Sequence, residues 1–151
     1  MSTAIGLSTP VLAPLLPITG TFALPFSAYF TFLSSRVVYY RLKDKHYVGD
    51  NSSKDNDLSN PLYLAGRCHQ NFIENVPLAL ILAAFAELNG GNRKTLTAAL
   101  SALLTFRILH VELGLITGMG IGRPIGYYGS MGTIVSLGFY AAYLVKGYWG
   151  L

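Results

Sequence analysis

Gly66-Arg67-Cys68-His69-Gln70-Asn71-Phe72-Ile73-Glu74-Asn75-Val76-Pro77 sets a cation, an amide and an anion into an otherwise apolar run from Leu62 to Leu88. Arg67, Asn71 and Glu74 stand at i, i+4 and i+7, which at 3.6 residues per turn is one stripe of one helix. In a bilayer each charge near the centre costs roughly 2.5–3.5 kcal/mol on insertion scales, and less near an interface. Such a stripe reads first as a functional site. The competing reading is a structural ion-pair network that joins the second and third helices and draws in Arg107. The two are compatible, because Glu74 could pair with Arg107 and still face a ligand.

Working outward, the composition fits a membrane setting. Of 151 residues, 52% are hydrophobic and 12% charged, where a soluble domain carries about 25% charged residues. The net charge of +4 is scattered along the chain, so nucleic acid is not an expected partner. The single cysteine, Cys68, excludes an internal disulfide. The first apolar run lacks the basic region and cleavage site of a signal peptide and is expected to stay as an anchor.

Met1–Pro17, broken by Pro10, Pro14 and Pro17, reads as an extended lead-in. A first spanning helix is expected from about Ile18 to Arg41, kinked at Pro25, with Tyr39, Tyr40, Arg41, Lys43 and Lys45 as its interface belt. Arg36 lies one turn further in and either snorkels to the headgroups or joins the site. Asp44–Asn60 is a polar loop holding the sequon Asn51-Ser52-Ser53. The second helix spans about Pro61–Leu88 with a kink at Pro77, Glu87 facing water or capping Lys94, and Asn89-Gly90-Gly91 ending it.

The third helix, about Lys94–Ile116, carries Arg107 and His110 at i and i+3, with Glu112 beyond; Gly114 extends the Arg107 face and is expected to leave room there. Gly118–Pro124 is a glycine-rich turn without the Lys-Ser/Thr ending of a phosphate loop. The fourth helix, about Ile125–Val145, has a small-residue side at Gly126, Gly129, Gly132, Ser136 and Gly138, as membrane helices use for close packing. The expected fold is all-α: an integral membrane four-helix bundle in one domain. The basic residues place the 44–60 loop and the 118–124 turn in the cytoplasm and both termini across the membrane. Arg36, Arg67, Asn71, Glu74, Arg107, His110, Arg123 and Tyr127 then cluster in the cytoplasmic half.

A polar pocket walled by lipid-like helix faces joins a charged ligand to an apolar one. Arginines favour carboxylates through paired hydrogen bonds, Glu74 can hold an ammonium group, and Asn71 both donates and accepts. Glutathione is a zwitterion of that kind, and cationic neighbours lower a thiol pKa and so produce the nucleophilic thiolate. His110 reads first as a hydrogen-bonded structural residue, and His46, His69 and His110 show no metal-ligand spacing. Cys68, turned about 100° from Arg67, is a packing or lipid-facing residue.

Arg67-x-x-x-Asn71-x-x-Glu74-x-x-Pro77, then Glu87-x-Asn89-Gly90, then Arg107-x-x-His110-x-x-x-Gly114, resembles the MAPEG family. These are membrane-associated proteins in eicosanoid and glutathione metabolism, among them microsomal glutathione transferases and the leukotriene C and prostaglandin E synthases. The resemblance is best over about Leu62 to Gly132. It implies homotrimers of four-helix subunits with glutathione bound between subunits near the cytoplasmic face. By the same resemblance Arg67, Asn71 and Glu74 contact glutathione, Arg107 and His110 match a third-helix polar pair, and Arg123 stands where the eicosanoid synthases activate the thiol.

One segment and one further position depart from those synthases. Pro124-Ile125-Gly126-Tyr127 lacks their continuous Arg/Ser/Tyr pattern, and Gly114 replaces a tyrosine that several of them use. The pattern is closer to the microsomal glutathione transferase-like, bacterial-like branch. The implied activity is a glutathione-dependent transferase or peroxidase acting on apolar electrophiles or lipid hydroperoxides, without a metal. Arg123, Tyr127 and Arg36 or Arg41 would stabilise the thiolate. The implied location is an endomembrane such as the endoplasmic reticulum in a eukaryote, or the inner membrane in a bacterium. The alternatives are a non-catalytic lipid-binding scaffold of the same fold and a structural subunit of a membrane complex.

Overall fold

A computed structural model describes residues 15–48, 60–117 and 120–150. The proline-rich lead-in before Leu15, the sequon at Asn51 and Gly118-Met119 of the turn lie outside them. The described residues form four long helices: α1 Pro17–Lys43, α2 Pro61–Leu88, α3 Arg93–His110 and α4 Gly122–Leu144. A π-helical segment, Val111–Leu115, prolongs α3, and a 3-10 turn, Lys146–Trp149, follows α4.

The helix ends follow from local chemistry. Asn60 precedes Pro61, and its Oδ1 accepts from the amides of Leu62 and Tyr63 at 3.0 and 3.3 Å. Asn92 does the same for Lys94 and Thr95 at 2.9 and 3.3 Å. Both are side-chain caps on otherwise orphaned amides. α2 stops where Gly90 takes φ +80°, a conformation glycine adopts without a Cβ clash. α1 has no cap of its own. The Glu87 carboxylate, from the last turn of α2, accepts from the amides of Ile18 and Thr19 at 2.6 and 2.8 Å. Glu87 thus neither simply faces water nor caps Lys94; an anion at the positive end of α1 is the better-placed partner.

One stripe of α2, Cys68, Phe72, Val76, Ala79, Ala83 and Ala86, is buried against Leu96, Leu100 and Leu103 of α3, Leu33 of α1 and Leu137 of α4. The other faces stay apolar and open: Leu24, Phe85 and Phe139 are all exposed. α2 and the α3–π unit, Arg93–Leu115, are long and apolar enough to cross a membrane. At 1.5 Å per residue α2 alone is about 42 Å long, more than the hydrocarbon thickness of a bilayer. α1 and α4 are diluted by Thr, Ser, Gly and Tyr.

Small residues decide how α3 and α4 meet. A Cβ on Gly126 would lie 2.5–2.6 Å from the backbone and Cβ of His110, and one on Gly129 would strike the Phe106 ring at 2.5 Å. Where lipid and side chain are equally apolar, such close approach is what draws helices together.

α3 does not run on as a plain α-helix to about Ile116. From Val111 the ladder becomes i→i+5, with Ile116 N donating to Val111 O at 3.0 Å. The wider turn carries Gly114 onto the start of α4, where a Cβ would lie 2.5 Å from Arg123 N. The space expected beside Gly114 is therefore filled by the Arg123 backbone. π turns gather at functional sites, and this one sets the register between His110 and Arg123.

Candidate functional site

α2, the end of α3 and the first turns of α4 enclose a cleft of about 670 Å³. Its polar lining comprises Arg67 and Asn71 from α2, His110 from α3, and Arg123 and Tyr127 from α4. Tyr63, Leu64, Leu115, Pro124 and Tyr128 complete the wall. Arg67 and Asn71 reach it because Tyr63, Arg67 and Asn71 follow at intervals of four on one helix face. Arg123 and Tyr127 share a face of α4 in the same way. Among the described residues no carboxylate lines the cleft, and Arg67 and Arg123 make that lining positive.

A smaller hollow of about 390 Å³ lies between α1 and α2, lined by Arg41, Arg67, His69, Gln70 and Glu74 among others. Tyr63 and Arg67 line both hollows and form the ridge between them. Glu74 is exposed, and its Oε1 accepts from Gln70 Nε2 at 3.1 Å. The i, i+4, i+7 stripe thus divides. Asn71 faces the cleft, Glu74 the smaller hollow, and Arg67 both.

Behind the cleft lies Arg107, the largest fully buried side chain, at 1% exposure. Its Nη1 donates to Asn71 Oδ1 at 2.7 Å and its Nε to Ser130 Oγ at 2.7 Å. Ser130 Oγ in turn donates to Gly126 O at 2.7 Å. This chain ties α2, α3 and α4 together, so the network reading holds for Asn71 and Arg107. The pairing of Glu74 with Arg107 does not form. His110 Nδ1 sits 2.9 Å from Arg123 O. A carbonyl only accepts, so Nδ1 carries a proton and donates it to Arg123 O.

Arg36 takes a different position. Its Nη2 pairs with Glu112 of the π segment at 2.9 Å, the guanidinium lies 4.6 Å from the Phe32 ring centre, and Tyr29 donates to the same carboxylate at 3.2 Å. Arg36 lines neither hollow. The structure therefore gathers Arg67, Asn71, His110, Arg123 and Tyr127 in one cleft, puts Arg41 and Glu74 next door, Arg107 behind, and Arg36 elsewhere. Cys68 is fully buried packing. Among the described residues no group of His, Cys, Asp or Glu is arranged to hold a metal ion.

Sequence reasoning passed over Ser130 and Tyr63. Each carried a signal. Ser130 lies four residues after Gly126, on the face that meets Arg107, and Tyr63 lies four before Arg67.

The model of the MAPEG family matches residues 19–143, most of the chain. The chain belongs to that family. No curated protein matches it. Family membership and two helices apolar enough to cross a bilayer together point to a membrane protein.

Proposed function

We propose, with membership of the MAPEG family as the premise, that the chain is a glutathione-dependent transferase or peroxidase. Its second substrate is an apolar electrophile or lipid hydroperoxide that arrives through the bilayer. All four long helices cross the membrane, the cleft opens to the cytoplasm, and the working unit is a homotrimer. The observation that carries this reading is the cleft itself: two guanidinium groups and an amide, from α2 and α4, set among tyrosines and aliphatic side chains, with no carboxylate among the described lining residues.

Arg67 and Asn71 suit the carboxylates and peptide oxygens of glutathione. Arg41 and Glu74, in the neighbouring hollow, suit its zwitterionic end. Arg123 and Tyr127 hold the thiolate: the thiol proton leaves to solvent, and the guanidinium and phenol stabilise the sulfur anion. The thiolate then attacks an electrophilic carbon and forms a carbon–sulfur bond, as a leaving group departs with the electron pair of its bond or as an activated double bond opens and takes a proton from solvent. With a hydroperoxide it attacks the O–O bond, releasing an alcohol and leaving a sulfenic acid that a second glutathione converts to the disulfide and water. The gain comes from electrostatic stabilisation and from holding two reactants together.

The test is the ultraviolet absorbance of the thiolate when glutathione is added to detergent-purified protein. Wild type is expected to bind glutathione and raise the thiolate signal, and Arg123→Ala to bind it with the signal lost. Binding without a thiolate signal in wild type would instead favour a non-catalytic scaffold of the same fold.

A further inference from the structure

Arg107 is sealed from the cleft, yet its hydrogen bonds dictate what the cleft presents. A guanidinium has five donors and no acceptor. Since Arg107 Nη1 lies 2.7 Å from the Asn71 side chain, Asn71 must turn its oxygen inward. Asn71 Oδ1 is thereby taken up, and the Asn71 NH2 group has no partner among the described residues. It is also absent from their buried polar atoms without a partner, so it remains accessible where Asn71 lines the cleft. Arg107 cannot swing away, because Nε is held at 2.7 Å by Ser130, whose own proton is spent on Gly126 O.

We propose that Arg107 is a positioning residue that locks Asn71 with its NH2 group toward the cleft, making that wall select the oxygens of an anionic ligand and reject an ammonium group. A free asparagine offers either its oxygen or its NH2 group to a ligand. A locked one offers only donors. The selectivity rests on reading the cleft as the glutathione site, and it assigns the glutathione ammonium to the hollow that holds Glu74, away from Asn71.

The electrostatics run the same way. The polar atoms Arg107 touches belong to Asn71 and Ser130, both neutral, and its Nη2 is buried without a hydrogen-bond partner. A buried charge without a counter-ion is costly. An anion on the far side of Asn71 offsets that charge and polarises the chain of hydrogen bonds from Gly126 through Ser130 and Arg107. Bound ligand is therefore expected to raise the unfolding temperature of wild type more than that of a variant lacking Arg107.

The experiment measures glutathione binding by calorimetry and thermal unfolding on the full chain in detergent, for wild type, Asn71→Asp, Arg107→Met and Arg107→Gln. Asn71→Asp gives Arg107 a carboxylate to pair with, so its unfolding temperature equals or exceeds that of wild type. It also turns an anionic oxygen toward the cleft, and glutathione binds about 10- to 100-fold more weakly, as for a lost hydrogen bond to a charged group. Arg107→Met weakens binding about tenfold, and Arg107→Gln, whose amide still donates to Asn71, weakens it less.

Unchanged binding in Asn71→Asp, or a lower unfolding temperature for it, overturns the proposal, and that variant decides the matter if Arg107→Met fails to fold. If wild type binds glutathione and neither variant changes it, the proposal alone falls. If wild type binds none, the reading of the cleft falls and takes the selectivity with it.

Discussion

Arg36 and Arg107 are both arginines on long helices of the bundle, and their surroundings divide the molecule into a strut and a site. Arg36 meets the carboxylate of Glu112 at 2.9 Å, with Tyr29 closing the group. The pair is neutral, spans α1 and the π segment, and leaves no charge to offer. Arg107 is more deeply buried and bonds only to neutral partners, Asn71 and Ser130. Its charge stays uncompensated by these contacts, one residue behind a cleft lined by two further arginines. A charge in an apolar bundle is therefore not in itself a mark of function. What separates the two cases is whether the chain supplies the counter-ion.

Breaking the strut has the largest expected effect on stability. Glu112→Ala leaves Arg36 beside Phe32 without its anion. Removing one partner of a fully buried pair costs about 3–5 kcal/mol; with Glu112 side-chain exposure at 33% the expected loss is nearer 2 kcal/mol. Thermal unfolding in detergent reads this, and glutathione affinity is expected to stay at the wild-type value. A matching loss of affinity would show that Arg36 belongs to the site after all.

Gly126→Ala sharpens the contrast from the other side. Its new Cβ, 2.5–2.6 Å from the backbone and Cβ of His110, forces α3 and α4 apart where the cleft is closed. Overpacking of this kind costs about 1–3 kcal/mol, and here stability and glutathione affinity fall together. Ser130→Ala has the smallest expected effect, about 1 kcal/mol, since it removes one acceptor from Arg107 while leaving Asn71 in place. Its signature is a modest fall in the unfolding temperature with a small loss of affinity, smaller than for Arg107→Met.

Much of the fold was legible because the signals are local. Asn60-Pro61 and Asn92 announce helix starts, Gly90-Gly91 a stop, and apolar periodicity fills the spans between. The co-facing of Arg67 and Asn71 also follows from spacing alone. The division of Glu74 from Asn71 does not, because the two flank Arg67 only about 60° apart around the helix, and which hollow each meets is set by the packing of α1 and α4 against α2. The partners of Arg36 and Arg107 were not legible either. The Arg107 partners depend on which faces of α2 and α4 meet α3. The Arg36 partner, Glu112, sits in the π turn at Val111–Leu115, a one-residue change in winding that periodicity over α3 does not register. The same turn explains why Gly114 meets the Arg123 backbone and leaves no open space. Glu87 as a cap on α1 required knowing which helix ends lie side by side.

The most direct test of the account is titration of glutathione into detergent-purified wild type, Arg67→Ala and Glu112→Gln, followed by calorimetry. The account predicts saturable binding in wild type and in Glu112→Gln, and binding about tenfold weaker or worse in Arg67→Ala, as expected for a lost charge-assisted hydrogen bond. Absence of saturable binding in wild type, or binding that survives Arg67→Ala and is lost in Glu112→Gln, would contradict it.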